Sequence, residues 1–285
     1  MPQKHLKKIK RPEDSNKSDY GKVFILAGSI GMTGAAYLCS QVALRTGSGL
    51  VTCGIPKSLN QIMEVKFTEA MTLPLFETKD HFLSLKAKNK ILEFSKKCDS
   101  IAIGPGLGQN KETQKLVKEL ILKIEKPIIL DADGINALNG DIKIFKKRKN
   151  RTIITPHPGE MSRLIKKDIT HIQLNRENIA KDIAQTTGAV VCLKGHRTVV
   201  ASSSGEIYIN KTGNSGMASG GTGDVLTGII TSFVGQGMDD FSATVAAVYL
   251  HGLAGDIAAS KKGKFSLIAS DIIEYLPDAF KKAGI

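Results

Sequence analysis

The stretch "NSGMASGGTGDVLTGII", residues 214–230, carries five glycines and one carboxylate, Asp224, directly ahead of an apolar run. A helix predicted to start near Val225 leaves its first N–H groups without intrahelical acceptors, and those donors, with the helix dipole, attract anions. Gly220, Gly221, Thr222 and Gly223 therefore read as an anion hole. No Lys-Ser/Thr follows the glycines, so this is not a Walker A loop. An acid in such a turn repels free phosphate. Asp224 is thus either a first-turn acid of the helix, or a base that takes a proton from an attacking hydroxyl while the amides steady a phosphoryl group.

Working outward from this loop, short apolar strands alternate with helices. The pattern predicts strands at 22–29, 50–56, 98–103, 127–131, 151–155 and 189–195, and a hairpin over 197–210 turning at "SSSG". It predicts helices over 33–47, 81–97, 111–125, 175–187, 223–235, 240–259 and 270–283. Such alternation points to a mostly parallel sheet covered on both faces, with ligands bound beyond the carboxyl ends of the strands. The glycine-rich and polar segments fall at those ends. No linker interrupts residues 21–285, which read as a single domain behind a basic N-terminal arm, 1–20.

Lys plus Arg exceed Asp plus Glu by 40 to 27, a net charge of +13. That balance suits anionic partners such as nucleotides, although a well-solvated lysine-rich surface would look the same. The basic runs lack the aromatic interleaving of a single-strand platform, so nucleic acid is not an expected partner. Cys39, Cys53, Cys98 and Cys192 are scattered in apolar segments with no CxxC, as expected of reduced core thiols. No apolar run approaches the ~20 residues of a membrane helix, and no signal-peptide pattern opens the chain. The expectation is a cytoplasmic protein without a membrane partner.

Five further motifs carry chemistry. "GSIGMTGA" has the spacing GxxGxxG rather than GxGxxG and no ribose-binding acid on the next strand, which disfavours a dinucleotide-binding Rossmann turn. "GPGLG" (104–108) is either a tight turn or a ligand wall. In "DADGIN", Asp131 and Asp133 are spaced to hold Mg²⁺ or to cap a loop. "TPHPGE" fixes His157 between two prolines, with Glu160 three residues on. "LKGHRT" places Lys194, Gly195, His196, Arg197 and Thr198 at a strand end, suited to nucleotide phosphates or to an exposed hairpin turn.

Taken in order, "GKVFILAGS…GMTGAA…ALRTGSGLV", "AIGPGLG", "LDADGINAL", "TPHPGEMSRL", "LKGHRTVV" and "NSGMASGGTGDVLTG" resemble the ADP/ATP-dependent NAD(P)H-hydrate dehydratase family. The similarity runs from Asp19 to the C-terminus. It implies a ribokinase-like fold, a three-layer αβα sandwich with a mostly parallel central sheet. It also implies a hydro-lyase that repairs the S-epimer of hydrated NAD(P)H, NAD(P)HX. In that scheme the terminal phosphate of ADP or ATP, with Mg²⁺, turns the ring hydroxyl into a leaving group, and elimination restores NAD(P)H. Residue by residue, Ala35, Gly106, His157 and Asp224 match the family's NAD(P)HX contacts. Lys194, Gly195, His196, Arg197, Thr198 and Gly223 match its adenine-nucleotide contacts, and Asp224 its base. The resemblance further implies a homotetramer working beside a separate NAD(P)HX epimerase.

Two positions depart from the family pattern: Thr33 stands where proline is common, and Asn16-Lys17-Ser18 replaces His-Lys-Gly. Two other readings share these residues. One is a ribokinase-like kinase of a hydroxyalkyl vitamin precursor or sugar, which would use the same glycine–acid loop. The other is a catalytically silent nucleotide sensor or basic nucleic-acid-associated protein.

Overall fold

In a computed structural model of the chain, which describes residues 2–6, 8, 9 and 11–285, nine strands form one sheet. They are β1 (Lys22–Leu26), β2 (Leu50–Pro56), β3 (Met71–Leu75), β4 (Ser100–Ile103), β5 (Ile128–Leu130), β6 (Thr152–Ile154), β7 (Val190–Leu193), β8 (Val199–Ala201) and β9 (Ile207–Ile209). The order across the sheet is β3-β2-β1-β4-β5-β6-β7-β8-β9. Pairing is parallel from β3 to β7 and antiparallel for β7-β8-β9.

The strands alternate strictly between two cores because successive side chains point to opposite faces. Phe24, Leu26, Ile128, Leu130, Val191 and Leu193 face one layer, which the helices Lys111–Lys123, Pro158–Ile165 and Arg176–Thr187 cover. Ile129, Val190 and Cys192 face the other, beneath Thr222–Gly235 and Asp240–Lys262. Val23, Ile25, Val51 and Cys53 continue that second layer under Thr33–Arg45. Both faces are dry, which is why the strands read as continuous apolar runs.

Most elements fall where the sequence pattern puts them; the helices Pro158–Ile165 and Ile169–Leu174 are additional to that pattern, and four further differences stand out. The edge strand β3 and the helix Asn60–Lys66 lie in the stretch read as irregular. Met71 and Pro74 on a half-exposed edge weaken the strand signal. The helix expected over 81–97 spans only Lys88–Ser95, after a 3₁₀ turn at Leu85–Ala87. The last helix is two, Ala269–Glu274 and Leu276–Ala283, because Pro277 has no N–H to continue the first. Finally, the segment before residue 21 is not free of the body. Leu6 is fully buried in the second core, and Lys8 pairs with Asp239 at 2.7 Å. Of the basic run 4–11, Lys7 and Lys10 lie outside the described residues.

The helix Asp240–Lys262 is long and apolar enough to cross a membrane by composition, but it is packed against the sheet as a core helix. All four cysteines are buried and unpaired.

Parallel pairing puts the carboxyl ends of β1, β4, β5, β6 and β7 on one edge, and the strand order reverses between β1 and β4. The loops after these two strands are stitched together there: Gly28 N–H donates to Pro105 O (2.8 Å) and the Ser29 hydroxyl to Gly106 O (2.8 Å). A crevice at such a switch point is the expected ligand site. The helix Thr222–Gly235 is aimed into it by a close crossing with Thr33–Arg45. At that crossing a Cβ on Gly228 would overlap the Cys39 carbonyl and Val42 Cγ1. Gly228→Ala should therefore lower unfolding free energy by about 1–3 kcal/mol through overpacking, read by urea denaturation. An unchanged midpoint would show that the crossing is looser than described.

Candidate active site

The site is built on Asp131, the residue after β5, whose carboxylate is buried. Its Oδ1 accepts from Lys194 Nζ at 2.5 Å and Thr155 Oγ1 at 2.8 Å. Its Oδ2 accepts from Thr227 Oγ1 at 2.8 Å. One carboxylate thereby ties together β5, β6, β7 and the helix behind the glycine loop. Glu160 Oε2 lies 3.8 Å from the same ammonium. Burial by itself would lower the Lys194 pKa, but Asp131 and Glu160 hold it above the ordinary lysine value.

Asp224 sits on the first turn of Thr222–Gly235, partly buried, and its carboxylate makes no hydrogen bond among the described residues. It does not cap its helix. Burial first, then repulsion from Asp131, raises its pKa to about 7, against the pull of Lys194. Around it the N–H groups of Gly220, Gly221, Gly223 and Asp224 have no acceptor among the described residues, and the Ser219 hydroxyl is buried without a partner. Gly221 adopts a left-handed φ of 91°, which glycine takes without strain. A Cβ on Gly223 would stand 3.4 Å from Lys194 Nζ. The open amides and the ammonium are therefore neighbours, an arrangement suited to an anion beside a proton acceptor.

His157 caps the helix Pro158–Ile165. Its Nδ1 accepts from Gly159 N–H (3.0 Å) and Glu160 N–H (3.3 Å), while Glu160 Oε2 accepts from His157 N–H (2.8 Å). The cap occupies the Nδ1 lone pair, so the proton of the neutral ring rides on Nε2, 3.3 Å from Glu160 Oε1. Burial, then Lys194 and Arg163, lower the histidine pKa. Burial raises that of Glu160, with Lys194 opposing.

Lys194, Gly195, His196, Arg197, Thr198 and Gly223 line one cavity of about 660 Å³, together with His157 and Thr222. Ala35 and Gly106 meet across the crevice: a Cβ on Gly106 would lie 2.9 Å from that of Ala35. Of the predicted dinucleotide contacts, His157 lines the same cavity as the predicted nucleotide contacts, while Gly106 and Ala35 pack against each other.

Asp131 and Asp133 do not fit the magnesium role foreseen for them. Asp131 is neutralised by Lys194 and hydrogen-bonded on both oxygens. Asp133 Oδ2 accepts Gly108 N–H (2.8 Å) and Oδ1 accepts Asn136 Nδ2 (3.2 Å), so it staples the GPGLG loop. No cluster of three or more metal-ligating side chains occurs among the described residues. Ala132 between them has φ 47°, ψ −116°, a turn conformation that favours glycine. Ala132→Gly should raise thermal stability by about 1 kcal/mol by relieving that strain; a fall in melting temperature would count against it.

Three elements escaped sequence reasoning. The Arg176 guanidinium donates to Leu193 O (2.8 Å) and His196 O (2.5 Å), fixing the Lys194 loop from behind. Asp256 accepts from Gly213 N–H and Asn214 Nδ2, both at 2.9 Å, holding the far cavity wall. His251, kept neutral by burial that lowers its pKa to about 4, donates from Nε2 to Thr222 O at 3.0 Å. All three lie in helical sequence with no local signal of a partner.

With this geometry in place the comparisons decide the family. The family model described as NAD(P)H-hydrate dehydratase matches residues 23–278. This chain belongs to that family. The bifunctional NAD(P)H-hydrate repair enzyme Nnr of Moorella thermoacetica is 43% identical over 268 residues, 94% of this chain and 51% of that protein. The chain thus spans about half the length of the first curated relatives it matches. The ADP-dependent (S)-NAD(P)H-hydrate dehydratase of Neisseria meningitidis is 35% identical, with 92% of this chain and 86% of that protein aligned. Among solved structures, the Bacillus subtilis ADP/ATP-dependent NAD(P)H-hydrate dehydratase, co-crystallised with ATP and Mg²⁺, superposes with TM-score 0.86 at 32% identity, covering 99% of this chain and 97% of that one. A ribokinase-like superfamily protein from Enterococcus faecalis superposes with TM-score 0.84 at 28% identity, covering 99% and 94%. The NAD(P)H-hydrate dehydratase fold expected from the motifs, ribokinase-like α/β, is the observed one.

A carboxylate whose pKa is raised binds more protons folded than unfolded, so its cost to stability appears as pH rises from about 4 through about 7. Asp224→Asn should remove that cost. Its stability advantage over the parent should be larger at pH 8 than at pH 5, by on the order of 2 kcal/mol. An equal offset at both pH values would contradict the raised pKa.

Proposed function

We propose that the chain dehydrates the S-epimer of hydrated NAD(P)H to NAD(P)H at the expense of ADP or ATP, releasing phosphate and AMP or ADP. The observation that carries this reading is Asp224, a carboxylate with its pKa raised to about 7 and no hydrogen-bond partner among the described residues, set among amides that also lack one there, beside Lys194. A base poised near neutral pH is what removal of a hydroxyl proton requires.

In this reading the hydroxyl on the hydrated ring loses its proton to Asp224 as its oxygen attacks the terminal phosphorus of the nucleotide. The bond from that phosphorus to the bridging oxygen breaks, and AMP or ADP leaves. Amides of Gly220, Gly221 and Gly223 and the Lys194 ammonium balance charge on the phosphoryl group. Phosphate then departs with the C–O bonding pair, a ring proton is lost, and the double bond of NAD(P)H returns. His157, with Nε2 protonated, offers a donor beside Glu160.

The Mg²⁺ present with ATP in the Bacillus subtilis crystals is assigned no ligand at Asp131 or Asp133; in this reading it travels with the nucleotide phosphates and its own water. A homotetramer, a cytoplasmic setting and a separate epimerase belong to the same reading.

Hydrated NADH or NADPH together with ADP or ATP should recover reduced-nicotinamide absorbance and release phosphate, and neither alone should do so. Nucleotide consumption without that recovery, or a stable phosphorylated alcohol, would replace the dehydratase with a kinase of the same fold. The value of kcat/KM should rise with pH and level off above about 7 as Asp224 ionises. Asp224→Asn should retain nucleotide affinity and lose ~10²–10⁴-fold in turnover; full turnover in this variant would remove the base.

A further inference from the structure

The Gly223 amide takes part in the proposed reaction, and its direction is set from outside its own loop. Thr222 C=O and Gly223 N–H belong to one planar trans peptide, so they point in opposite directions. Whatever holds the carbonyl therefore aims the amide. The holder is His251, whose Nε2 donates to Thr222 O at 3.0 Å. A carbonyl only accepts, so this bond also fixes the tautomer, with the ring proton on Nε2. Among the described residues it is the only hydrogen bond from a side chain of Asp240–Lys262 to the helix Thr222–Gly235.

His251 is itself well placed. The segment after β9 is laced along the same stretch of helix. Asn210 Nδ2 donates to Val248 O (2.9 Å), Thr212 Oγ1 to Tyr249 O (2.9 Å) and Asn214 Nδ2 to Gly255 O (3.0 Å). A Cβ on Gly252 would overlap Thr212, and one on Gly255 would overlap the Met217 side chain. These contacts fix the turn of helix that carries the ring. Burial keeps the ring neutral, its pKa lowered to about 4, so the bond to Thr222 adds no charge to the site.

A hydrogen bond on a peptide carbonyl also polarises that peptide and strengthens its N–H as a donor. Gly223 N–H has no acceptor among the described residues. A Cβ on this glycine would stand 3.4 Å from Lys194 Nζ and 4.0 Å from Asp131 Oδ2. The amide held from behind by His251 is thus a neighbour of the ammonium that the proposed reaction sets against the phosphoryl group.

We propose that His251 is a positioning residue for phosphoryl transfer: through Thr222 O it orients Gly223 N–H toward the charge that develops on the transferred group. The inference rests on the dehydratase reading, in which that group passes from ADP or ATP to the ring hydroxyl. His251 touches no reacting atom in this step and takes up no proton.

The test separates the donor from the mere presence of a side chain. His251→Gln offers an amide nitrogen the same number of bonds from the backbone as Nε2. His251→Asn carries the same amide one carbon short, and His251→Leu fills the space without a donor. Turnover of hydrated NADH with ADP or ATP is followed by phosphate release and by reduced-nicotinamide absorbance, and nucleotide affinity by calorimetry on the full chain. His251→Leu and His251→Asn should lose ~10–10²-fold in kcat, the scale on which a small misplacement at a reacting centre is felt. Their ADP and ATP affinities should stay within about threefold of the parent, because the amide meets most charge in the transition state. His251→Gln should return kcat to within about threefold of the parent, since it retains the hydrogen bond. If His251→Leu fails to fold, His251→Gln against His251→Asn decides alone. Parental kcat in His251→Asn, or His251→Gln as slow as His251→Asn, overturns the positioning role and leaves the dehydratase reading intact. So does a loss confined to nucleotide affinity. A parent chain that releases phosphate without restoring reduced-nicotinamide absorbance overturns the dehydratase reading, and the contrast between His251→Gln and His251→Asn in phosphate release still decides His251. A parent that releases no phosphate overturns both.

Discussion

The site depends on a single buried pair, Asp131 with Lys194. Taking a carboxylate and an ammonium out of water is costly, and their attraction offsets that cost only when every remaining lone pair is satisfied. Here Thr155 and Thr227 complete the set, so three strand ends and one helix converge on one carboxylate. Removing either partner would strand a charge in the core. The pair also divides the field of the site. Lys194 is committed to Asp131 and near Glu160, and it does not cancel the repulsion felt by Asp224, whose proton affinity stays high.

The second constraint is steric. Backbone approaches backbone where the loops after β4 and β5 leave the sheet. A Cβ on Gly104 would overlap the Asp131 carbonyl, and one on Gly134 the Ile103 carbonyl. These contacts press the loops after β4 and β5 together and leave Ala132 in a strained turn. The cost is met by the packing around them, which holds Asp131 and Asp133 facing different partners. The crossing at Gly228 acts alike on the helix that carries Asp224. That close packing fixes where the helix presents Asp224.

Much of the fold was legible because both faces of the sheet are apolar and each strand ends in a loop whose composition differs sharply from it. The edge strand β3 was not, since a half-exposed strand containing Pro74 lacks both the continuous run and the alternation that mark a strand. The glycine–acid loop stood out as a candidate site through residue type alone. Asp131 and Asp133 did not: two carboxylates two apart permit a metal, a cap or an ion pair, and only the position of Lys194, 63 residues on, separates these. Arg176, His251 and Asp256 sit inside helices whose sequence says nothing of what lies opposite.

By itself, the sequence determined the alternation of strands and helices, the edge of the sheet at which polar loops gather, and the family to which six ordered motifs belong. These are local or sequential properties, written in periodicity and residue type. Tertiary structure alone decided which carboxylate pairs with Lys194 and which one holds its proton to about pH 7. Charge states depend on burial and on neighbours within a few ångströms, and in a parallel sheet those neighbours arrive from distant parts of the chain.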